Sequence, residues 1–337
     1  MQKNDIVLLS HGGGGLRTRQ LIGDIIVRHL GNPVLNKLDD GACLAIAGEN
    51  MVFTTDSFVV RPLFFPGGDI GRLAVCGTVN DLAMMGAAPR CLSLGLILEE
   101  GLPIADLERV VLSIRGALDE AKVKIVTGDT KVVERGMGFG MFVNTAGIGV
   151  RFPNADTRAV NARPGDEVIV TGTLGDHGAA VISCRDGVNL ESGLISDVAP
   201  LWNLMKPLLR KGVDLHCLRD PTRGGLAAAL NDIAESSRVG IRLFEKELPV
   251  RKEVLGVCRL LGLDPLNMAC EGCAVVVCPG KSAGTVLDSL RSKALGRNAR
   301  AIGHVIKHPK GLVILETEVG GERIVETPMG EDLPRIC

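Results

Sequence analysis

Strand-like apolar runs alternate with amphipathic helical patterns along all 337 residues of this chain. Runs at 42–47 and 51–55 flank the turn residues Gly-Glu-Asn and predict a β-hairpin. The other patterns in the first half predict helices at 19–30, 69–85 and 103–122 and strands at 90–99, 124–127 and 139–150. Because elements of both kinds are interspersed, the sequence predicts an α/β or α+β fold.

The same mixture continues beyond 151–164, a stretch rich in turn residues that predicts a domain boundary. The second half predicts helices at 177–184, 199–211, 226–236 and 281–295 and strands at 167–171, 274–277, 301–306, 312–315 and 323–325. The length suits two domains. We therefore predict four parts: a flexible glycine-rich segment at 1–36, an N-terminal domain at 37–152, a C-terminal α/β domain at 153–328 and a mobile tail at 329–337.

Composition argues against several classes of function. Lys and Arg number 38 and Asp and Glu 39, so the net charge of −1 gives no electrostatic basis for binding nucleic acid or an anionic membrane. No apolar run has the length of a membrane span, and the N-terminus lacks the pattern of a secretory signal. The ten cysteines are scattered, mostly in apolar runs, which is typical of buried thiols in a reducing cytoplasm.

Acidic residues recur where apolar elements end, mostly with small or apolar neighbours: Asp40, Asp56, Asp81, Asp129 and Asp220. A carboxylate beside an apolar core must be paired, hydrogen-bonded or bound to a metal. Converging carboxylates repel one another, and Mg²⁺ relieves that repulsion while bridging them to phosphates. The pattern predicts a magnesium–nucleotide site. The alternative is five unrelated helix caps and turns.

Both ends of the chain carry unusual sequences. Four successive glycines, Gly12 to Gly15, predict either a mobile lid that approaches phosphates or a plain flexible linker. The final residue is Cys337, whose thiolate is a strong nucleophile. Because chain ends are commonly mobile, this thiol either carries a covalent substrate between sites or is a free thiol without a function.

Three other motifs carry weaker signals. Gly280-Lys281-Ser282 lacks the first glycine of a P-loop, and the glycines of 136–140 are not followed by the helix of a dinucleotide motif. Cys270 and Cys273 have the spacing of a thiol pair, but no second pair follows at zinc spacing and they precede a strand. Neither a metal nor a redox role is favoured for them.

Five motifs resemble the ATP-binding superfamily of aminoimidazole ribonucleotide synthetase, selenophosphate synthetase and thiamine-monophosphate kinase: Asp39-Asp40-Gly-Ala, Thr55-Asp56-Ser, Asn80-Asp81-Leu-Ala, Thr127-Gly-Asp-Thr-Lys131 and Asp220-Pro-Thr-Arg-Gly-Gly-Leu226. Within that superfamily the chain is similar to the HypE family of hydrogenase maturation proteins. That similarity lies in Leu9-Ser-His-Gly-Gly-Gly-Gly15, Thr54-Thr-Asp-Ser-Phe-Val-Val60, the stretch 62–71 and Pro334-Arg-Ile-Cys337. One departure is Cys270-Glu-Gly-Cys273, where Asn-Glu-Gly-Lys is expected.

The resemblance implies an ATP-dependent carbamoyl dehydratase. In this family a carbamoyltransferase, HypF, loads carbamoyl onto the terminal thiolate, and ATP drives dehydration of the thiocarboxamide to a thiocyanate. The cyanide then passes to iron on a HypC–HypD complex for [NiFe] hydrogenase. The resemblance also implies a homodimer in which the N-terminal domains, which bind ATP, pair into a β-barrel.

Residue roles follow from the same resemblance. Cys337 is the expected carrier, Lys131 a contact to phosphate or to the activated oxygen, and Glu271 a candidate base for the amide proton. Mg²⁺ is expected on the five aspartates. Nucleotide contacts are expected from Asp40, Asp56, Asp81, Asp129, Asn80, Thr130, Arg223, Gly12 and Gly13.

Two other classes remain open from the sequence. One is a small-metabolite kinase or synthetase on the same fold, which has no need of a terminal cysteine. The other is a non-enzymatic carrier or scaffold that binds partners through its tail.

Overall fold

A computed structural model of the chain describes residues 15–46, 49–138, 140–185, 188, 193–329 and 336. The strands of the first half are β1 Ala42–Ile46, β2 Glu49–Phe58, β3 Phe64–Phe65, β4 Gly68–Asp69, β5 Ala87–Glu99, β6 Lys124–Val133 and β7 Met141–Arg151. Its helices are α1 Leu16–Leu21, α2 Arg28–Leu30, α3 Ile70–Met84 and α4 Ile104–Ala121. A π-helical segment, Ile22–Val27, joins α1 to α2.

In the described part of the first half, five strands form one sheet in the order β1-β2-β7-β5-β6. Neighbouring strands are antiparallel except β5 and β6, which are parallel and joined through α4. Helix α3 packs against β2, β5 and β7 and also against α4. Almost all of α3 is buried, because it lies between this sheet and the second half of the chain.

The second half forms another mixed layer. Its strands are β8 Asp166–Val170, β9 Cys217–Arg219, β10 Gly240–Phe244, β11 Val275–Pro279, β12 Arg300–Ile306, β13 Val313–Glu316 and β14 Glu322–Ile324. Its helices are α5 Asp176–Ser183, α6 Trp202–Arg210, α7 Gly225–Ser237, α8 Lys252–Leu261 and α9 Gly280–Arg291. Within the described residues the sheet order is β14-β13-β10-β12-β8-β11-β9.

The two halves share an apolar core. Leu73 and Val79 of α3 belong to the same buried cluster as Leu204 of α6 and Val276 of β11. A cluster of this extent opposes separation of the halves, because parting them exposes the apolar surface of both. Residues on α3 and residues of the second half therefore hold fixed positions relative to each other.

The predicted α/β class is confirmed, and so are most of the predicted elements. The strand predicted at 124–127 is too short: β6 continues through Gly128 and Asp129 to Val133, because pairing with β5 overrides the low strand propensity of those residues. Four strands and one helix were missed: β3, β4, β9, β10 and α8. The missed strands have only two to five residues each, too few for a clear period.

None of the helices in the described residues combines the length and apolar character needed to cross a membrane.

The start of α3 depends on one buried side chain. Asp69 is the N-cap, and its Oδ1 accepts hydrogen bonds from the backbone N–H groups of Gly71 at 2.8 Å and Arg72 at 3.0 Å. We expect Asp69→Ala to lower the free energy of unfolding by about 1–2 kcal/mol, because both N–H groups lose their acceptor. Asp69→Asn, which keeps a side-chain acceptor, should lose less than half of that. Urea unfolding of the three proteins measures the difference, and equal losses for both variants would contradict the capping role.

Candidate active site

Four of the predicted aspartates surround one cavity of about 260 Å³. Asp40 lies just before β1, Asp56 on β2, Asp81 near the end of α3 and Asp220 just after β9. The other residues that line the cavity are Thr54, Thr55, Arg219, Thr222, Arg223, Gly225, Ala228, Ala229 and Asp232. The fold therefore brings together carboxylates that are up to 180 positions apart in the sequence.

Thr54 ties three of these elements together. Its buried Oγ1 lies 2.9 Å from the carbonyl oxygen of Asp40 and 2.8 Å from Oδ2 of Asp81. Pairing of β1 with β2 brings Asp40 beside Thr54, and packing of α3 on β2 brings Asp81 to the same point. One hydroxyl thus contacts the backbone of Asp40 and the carboxylate of Asp81.

The carboxylates of the cavity destabilise one another when they are ionised. Burial, followed by the charges of Asp220, Asp56 and Asp40, raises the pKa of Asp81 well above its usual value. Burial and the charge of Asp40 raise the pKa of Asp220 to about 7. Burial also raises the pKa of Asp56, although Arg223 opposes the shift. A bound cation would relieve this repulsion.

The donor set suits Mg²⁺ held jointly with phosphates. Among the described residues, no three His, Cys, Asp or Glu side chains converge closely enough to form a complete metal cage. Mg²⁺ commonly takes only one or two protein carboxylates and fills its octahedron with water and substrate phosphate oxygens. The four predicted aspartates around this cavity meet that requirement.

The start of helix α7 lies on the same cavity. Helix α7 begins at Gly225, and Thr222, Arg223 and Gly225 line the cavity. Gly224 and Gly225 have φ values of +79° and +60°, and a Cβ on Gly225 would lie 2.5 Å from the carbonyl oxygen of Leu266. Only glycine fits there, and no side chain caps the start of α7 within the described residues. Such a helix start attracts phosphate.

A row of ion pairs leads from this cavity to a second one. Arg219 contacts Asp40 at 3.1 Å and Asp232 at 2.9 Å. Arg19 of α1 pairs with Asp232 and, at 2.7 Å, with Glu235. Arg219 and Asp232 also line the neighbouring cavity of about 620 Å³, which lies under the N-terminal helical segment. The two cavities together are large enough for a nucleotide.

Glu271 lies on a buried loop that is held by backbone contacts. Oδ1 and Oδ2 of Asp197 accept hydrogen bonds from the N–H groups of Glu271 at 3.1 Å and Gly272 at 3.0 Å. The amide group of Asn80 donates to the carbonyl oxygens of Ala199 and Glu271. These contacts fix the backbone of Glu271 from two sides.

The carboxyl group of Glu271 has the properties of a strong base in its ionised form. Its Oε1 is buried and has no hydrogen-bond partner among the described residues. Burial, followed by the charges of Asp220, Asp197 and Asp56, raises its pKa well above the usual value. The loop lies beside the acidic cavity, because Asn80, which donates to the carbonyl oxygen of Glu271, directly precedes Asp81 of the cavity.

Known proteins are similar in sequence to this chain over nearly its whole length. Models of AIR synthase related proteins match at residues 38–151 (N-terminal domain) and 163–316 (C-terminal domain). Carbamoyl dehydratase HypE of Rhizobium leguminosarum is 48% identical over 99% of this chain and 96% of its own. HypE of Escherichia coli is 45% identical over 98% and 99% of the two chains.

The chain belongs to the HypE family of carbamoyl dehydratases.

Solved HypE structures have the same fold. A HypE in complex with ATP matches with a TM-score of 0.83 at 46% identity, covering 98% of this chain and all of the other. The HypE chain of a HypE–HypF complex matches with a TM-score of 0.87 at 45% identity, covering 91% of this chain and 99% of that one. The thiamine monophosphate kinase of Aquifex aeolicus, at 19% identity and a TM-score of 0.64, shares the fold.

Three predicted site residues of this HypE-family chain lie elsewhere. Asp129, Thr130 and Lys131 are on β6, the outer strand of the first sheet. Asp129 is in register with Ser57 across β5 and β7, about 14 Å away at ordinary strand spacing. Asp129 and Lys131 lie 3.4 Å apart with side chains 73% and 71% exposed. A single chain therefore does not bring them to the cavity of the other four aspartates.

One further predicted residue, Asn80, makes contacts other than those expected, and three others lie outside the described part of the chain. Asn80, expected as a nucleotide contact, has backbone partners for both atoms of its amide: its oxygen accepts from the N–H of Leu201 at 2.8 Å, and its nitrogen donates to the carbonyl oxygens of Ala199 and Glu271. Gly12, Gly13 and Cys337 lie outside the described residues.

The pair Cys270 and Cys273 is part of the Glu271 loop. Both thiols are buried, and Cys270 Sγ accepts from the N–H of Gly175 at 3.1 Å. A hydrogen bond with Cys273 and burial raise the pKa of Cys270 well above its usual value. A thiol in this state is a poor nucleophile and a poor metal ligand, which agrees with the weak sequence signal.

Asp197 and Thr54 were missed by the sequence reasoning. Burial raises the pKa of Asp197 to about 7, but its partners are backbone N–H groups, and such contacts leave no motif. Thr54 precedes the Thr-Asp-Ser motif, and an inward-facing hydroxyl on a strand next to an aspartate was an available signal.

Asp220 should make the stability of the ligand-free protein depend on pH. Its folded pKa of about 7 lies above the unfolded value, so the wild type loses stability as pH rises from about 4 through 7. We expect Asp220→Asn to match the wild type near pH 4 and to exceed it by on the order of 2–4 kcal/mol at pH 8. Urea unfolding in the presence of a chelator measures this. Asp119→Asn, on the exposed side of α4, is the control, and a pH-independent difference between Asp220→Asn and the wild type would contradict the assignment.

Proposed function

We propose that the chain catalyses ATP-dependent dehydration of a carbamoyl group carried as a thiocarboxamide on Cys337. The observation that carries the proposal is the four-carboxylate cavity at the start of α7, in a chain 45–48% identical to carbamoyl dehydratases. The product is a thiocyanate, which supplies the cyanide ligand of [NiFe] hydrogenase.

In this reaction the oxygen atom of the carbamoyl group ends in inorganic phosphate. The carbamoyl oxygen attacks the γ-phosphorus of ATP, and ADP leaves. The two N–H hydrogens then depart as protons, the C–O bond breaks with inorganic phosphate as the leaving group, and a carbon–nitrogen triple bond remains on sulfur. Phosphorylation is needed because an amide-type oxygen is otherwise a poor leaving group.

Each part of the site suits one task. Asp40, Asp56, Asp81 and Asp220 would hold Mg²⁺, which supplies charge neutralisation at the transferring phosphoryl group. Arg223 and the N–H groups at the start of α7 would bind phosphate oxygens.

Glu271 would accept an N–H proton during dehydration. Its raised pKa makes the ionised carboxylate a better proton acceptor, and its burial keeps bulk water away from the intermediate.

Two partners complete the cycle. HypF would load the carbamoyl group, and the solved HypE–HypF complex of a relative supports this choice. A HypC–HypD complex carrying iron would take the cyanide. A thiol carrier must stay reduced between these encounters, so we propose a cytoplasmic location.

We also propose a homodimer formed through the first sheet. The outer strand β6 exposes Val126 and Val132, and Ile97 on the adjacent β5 is also exposed. Apolar side chains on an unpaired outer strand favour pairing with a second chain. In that arrangement Asp129 and Lys131 would act at the interface between the copies.

A small-metabolite kinase is the rival enzyme class, since thiamine monophosphate kinase shares the fold. At 19–21% identity that likeness extends to the fold alone. A carrier cysteine is needed only by the dehydratase reaction.

Mass analysis of the Cys337 peptide tests the reaction. After incubation with HypF, carbamoyl phosphate, ATP and Mg²⁺, we expect carbamoyl addition followed by loss of one water. Asp81→Asn should leave the addition intact but slow the water loss at least about a hundredfold, because charge on the transferring phosphoryl group is less well stabilised. Asp119→Asn serves as the surface control. Loss of water from Cys337→Ala, or equal loss of both steps in Asp81→Asn, would refute the mechanism.

Sedimentation tests the homodimer. Val132 is 68% exposed on β6, and Val132→Asp should convert a dimer to a monomer because it introduces facing like charges at the paired strands. Leu260, 66% exposed on α8, gives a matched control, and Leu260→Asp should stay dimeric. A monomeric wild type or a dimeric Val132→Asp would rule out this interface.

A further inference from the structure

Ile336, the residue before Cys337, packs into a buried apolar site in the second half of the chain, which we call the seat. It is 6% exposed and belongs to a buried cluster with Ile182, Leu194, Val254 and Met268. The sequence predicts a mobile tail, so a fully packed side chain one position from the end is unexpected.

Among the described residues, His177 of α5 makes a polar contact to Ile336 in this seat. Its Nε2 lies 2.8 Å from the carbonyl oxygen of Ile336, and its Nδ1 lies 2.8 Å from Oγ of Ser196. A carbonyl oxygen can only accept, so Nε2 carries the hydrogen and Nδ1 must accept from the hydroxyl of Ser196. Burial lowers the pKa of His177 to about 4, so the ring is neutral and this tautomer persists at physiological pH.

The same hydrogen-bond chain reaches the backbone that supports Glu271. Ser196 Oγ accepts from the N–H of Val198 at 3.1 Å while it donates to His177. The neighbouring Asp197 binds the N–H groups of Glu271 and Gly272. The segment 196–198 therefore fixes both the ring that holds Ile336 and the loop that carries the candidate base.

The tail has a second described attachment at its other end. The N–H of Leu16 donates to the carbonyl oxygen of Pro328 at 3.1 Å, next to the glycine-rich segment. Pro328 and Ile336, which lie on either side of this part of the tail, are thus both held. Two attachments restrict where the last residue can go much more than one does.

We propose that His177 is a positioning residue for the terminal thiol, holding Ile336 in a seat that presents Cys337 to the Glu271 loop. This inference rests on the proposed function. Because Cys337 is bonded to Ile336, a hold on Ile336 is a hold on the thiol.

Alkylation of Cys337 by N-ethylmaleimide, without ATP or carbamoyl phosphate, tests the seat apart from the reaction. Cleavage before Asp332 releases the peptide 332–337, whose labelling is followed by mass. We expect His177→Asn, which retains a group near Ser196 but cannot reach Ile336, to be labelled about tenfold faster than the wild type. Ile336→Ala should be labelled faster to a similar extent. His177→Gln, whose amide can reach the Ile336 carbonyl oxygen, should stay within about threefold of the wild type.

His304→Asn on β12 is the control for a histidine exchange away from the tail and should be labelled at the wild-type rate. Ile336→Ala removes only a terminal contact, so it decides the matter if a His177 variant fails to fold. Wild-type labelling rates in both His177→Asn and Ile336→Ala would overturn the proposal.

A second measurement links the seat to catalysis. On protein already carbamoylated by HypF, His177→Asn should slow water loss about tenfold, and His177→Gln should restore most of the rate. Unchanged water loss in His177→Asn would show that the seat does not position the thiol for the reaction. Absence of water loss in the wild type would instead reject the dehydratase function, while the alkylation rates still report on the seat.

Discussion

The mutual repulsion of four carboxylates around one cavity, Asp40, Asp56, Asp81 and Asp220, is the constraint to which the rest of the structure responds. Asp81 and Asp220 have pKa values raised by burial and by their neighbours, so the ligand-free cavity favours bound protons. Such a site gains affinity for cations because each cation replaces an unfavourable charge or a proton. The surrounding fold must hold the carboxylates together against this repulsion, and the apolar core shared by the two halves does so.

Two adjacent residues of helix α3 connect the acidic cavity to the Glu271 loop. Successive helical residues point about 100° apart, so Asn80 and Asp81 face different surroundings. Asn80 binds backbone groups of Ala199, Leu201 and Glu271, whereas Asp81 lines the acidic cavity. The spacing between that cavity and the Glu271 loop is therefore set by one rigid, buried helix.

The sequence predicted the fold class and the four aspartates of the cavity, because carboxylates at element ends conflict with their apolar surroundings. It did not predict that Asp129 and Lys131 lie on an outer strand, since strand order depends on pairing between distant segments. It also assigned Asn80 a ligand role, where the structure shows backbone contacts. Asp197 and His177 were missed for the same reason: they act through backbone groups, and backbone partners leave no pattern in the side-chain sequence.

A carrier thiol and a base that lie on different segments react efficiently only if the distance between them is held constant. Each ångström of uncertainty between reacting groups lowers the rate, and independent supports add their uncertainties. Here the segment 196–198 supports both groups, through His177 on one side and Asp197 on the other. A displacement of that segment moves the seat and the base together, so their separation is conserved. Loss of the contacts of Ile336 would then leave the base in place, because Asp197 still holds the N–H groups of Glu271 and Gly272.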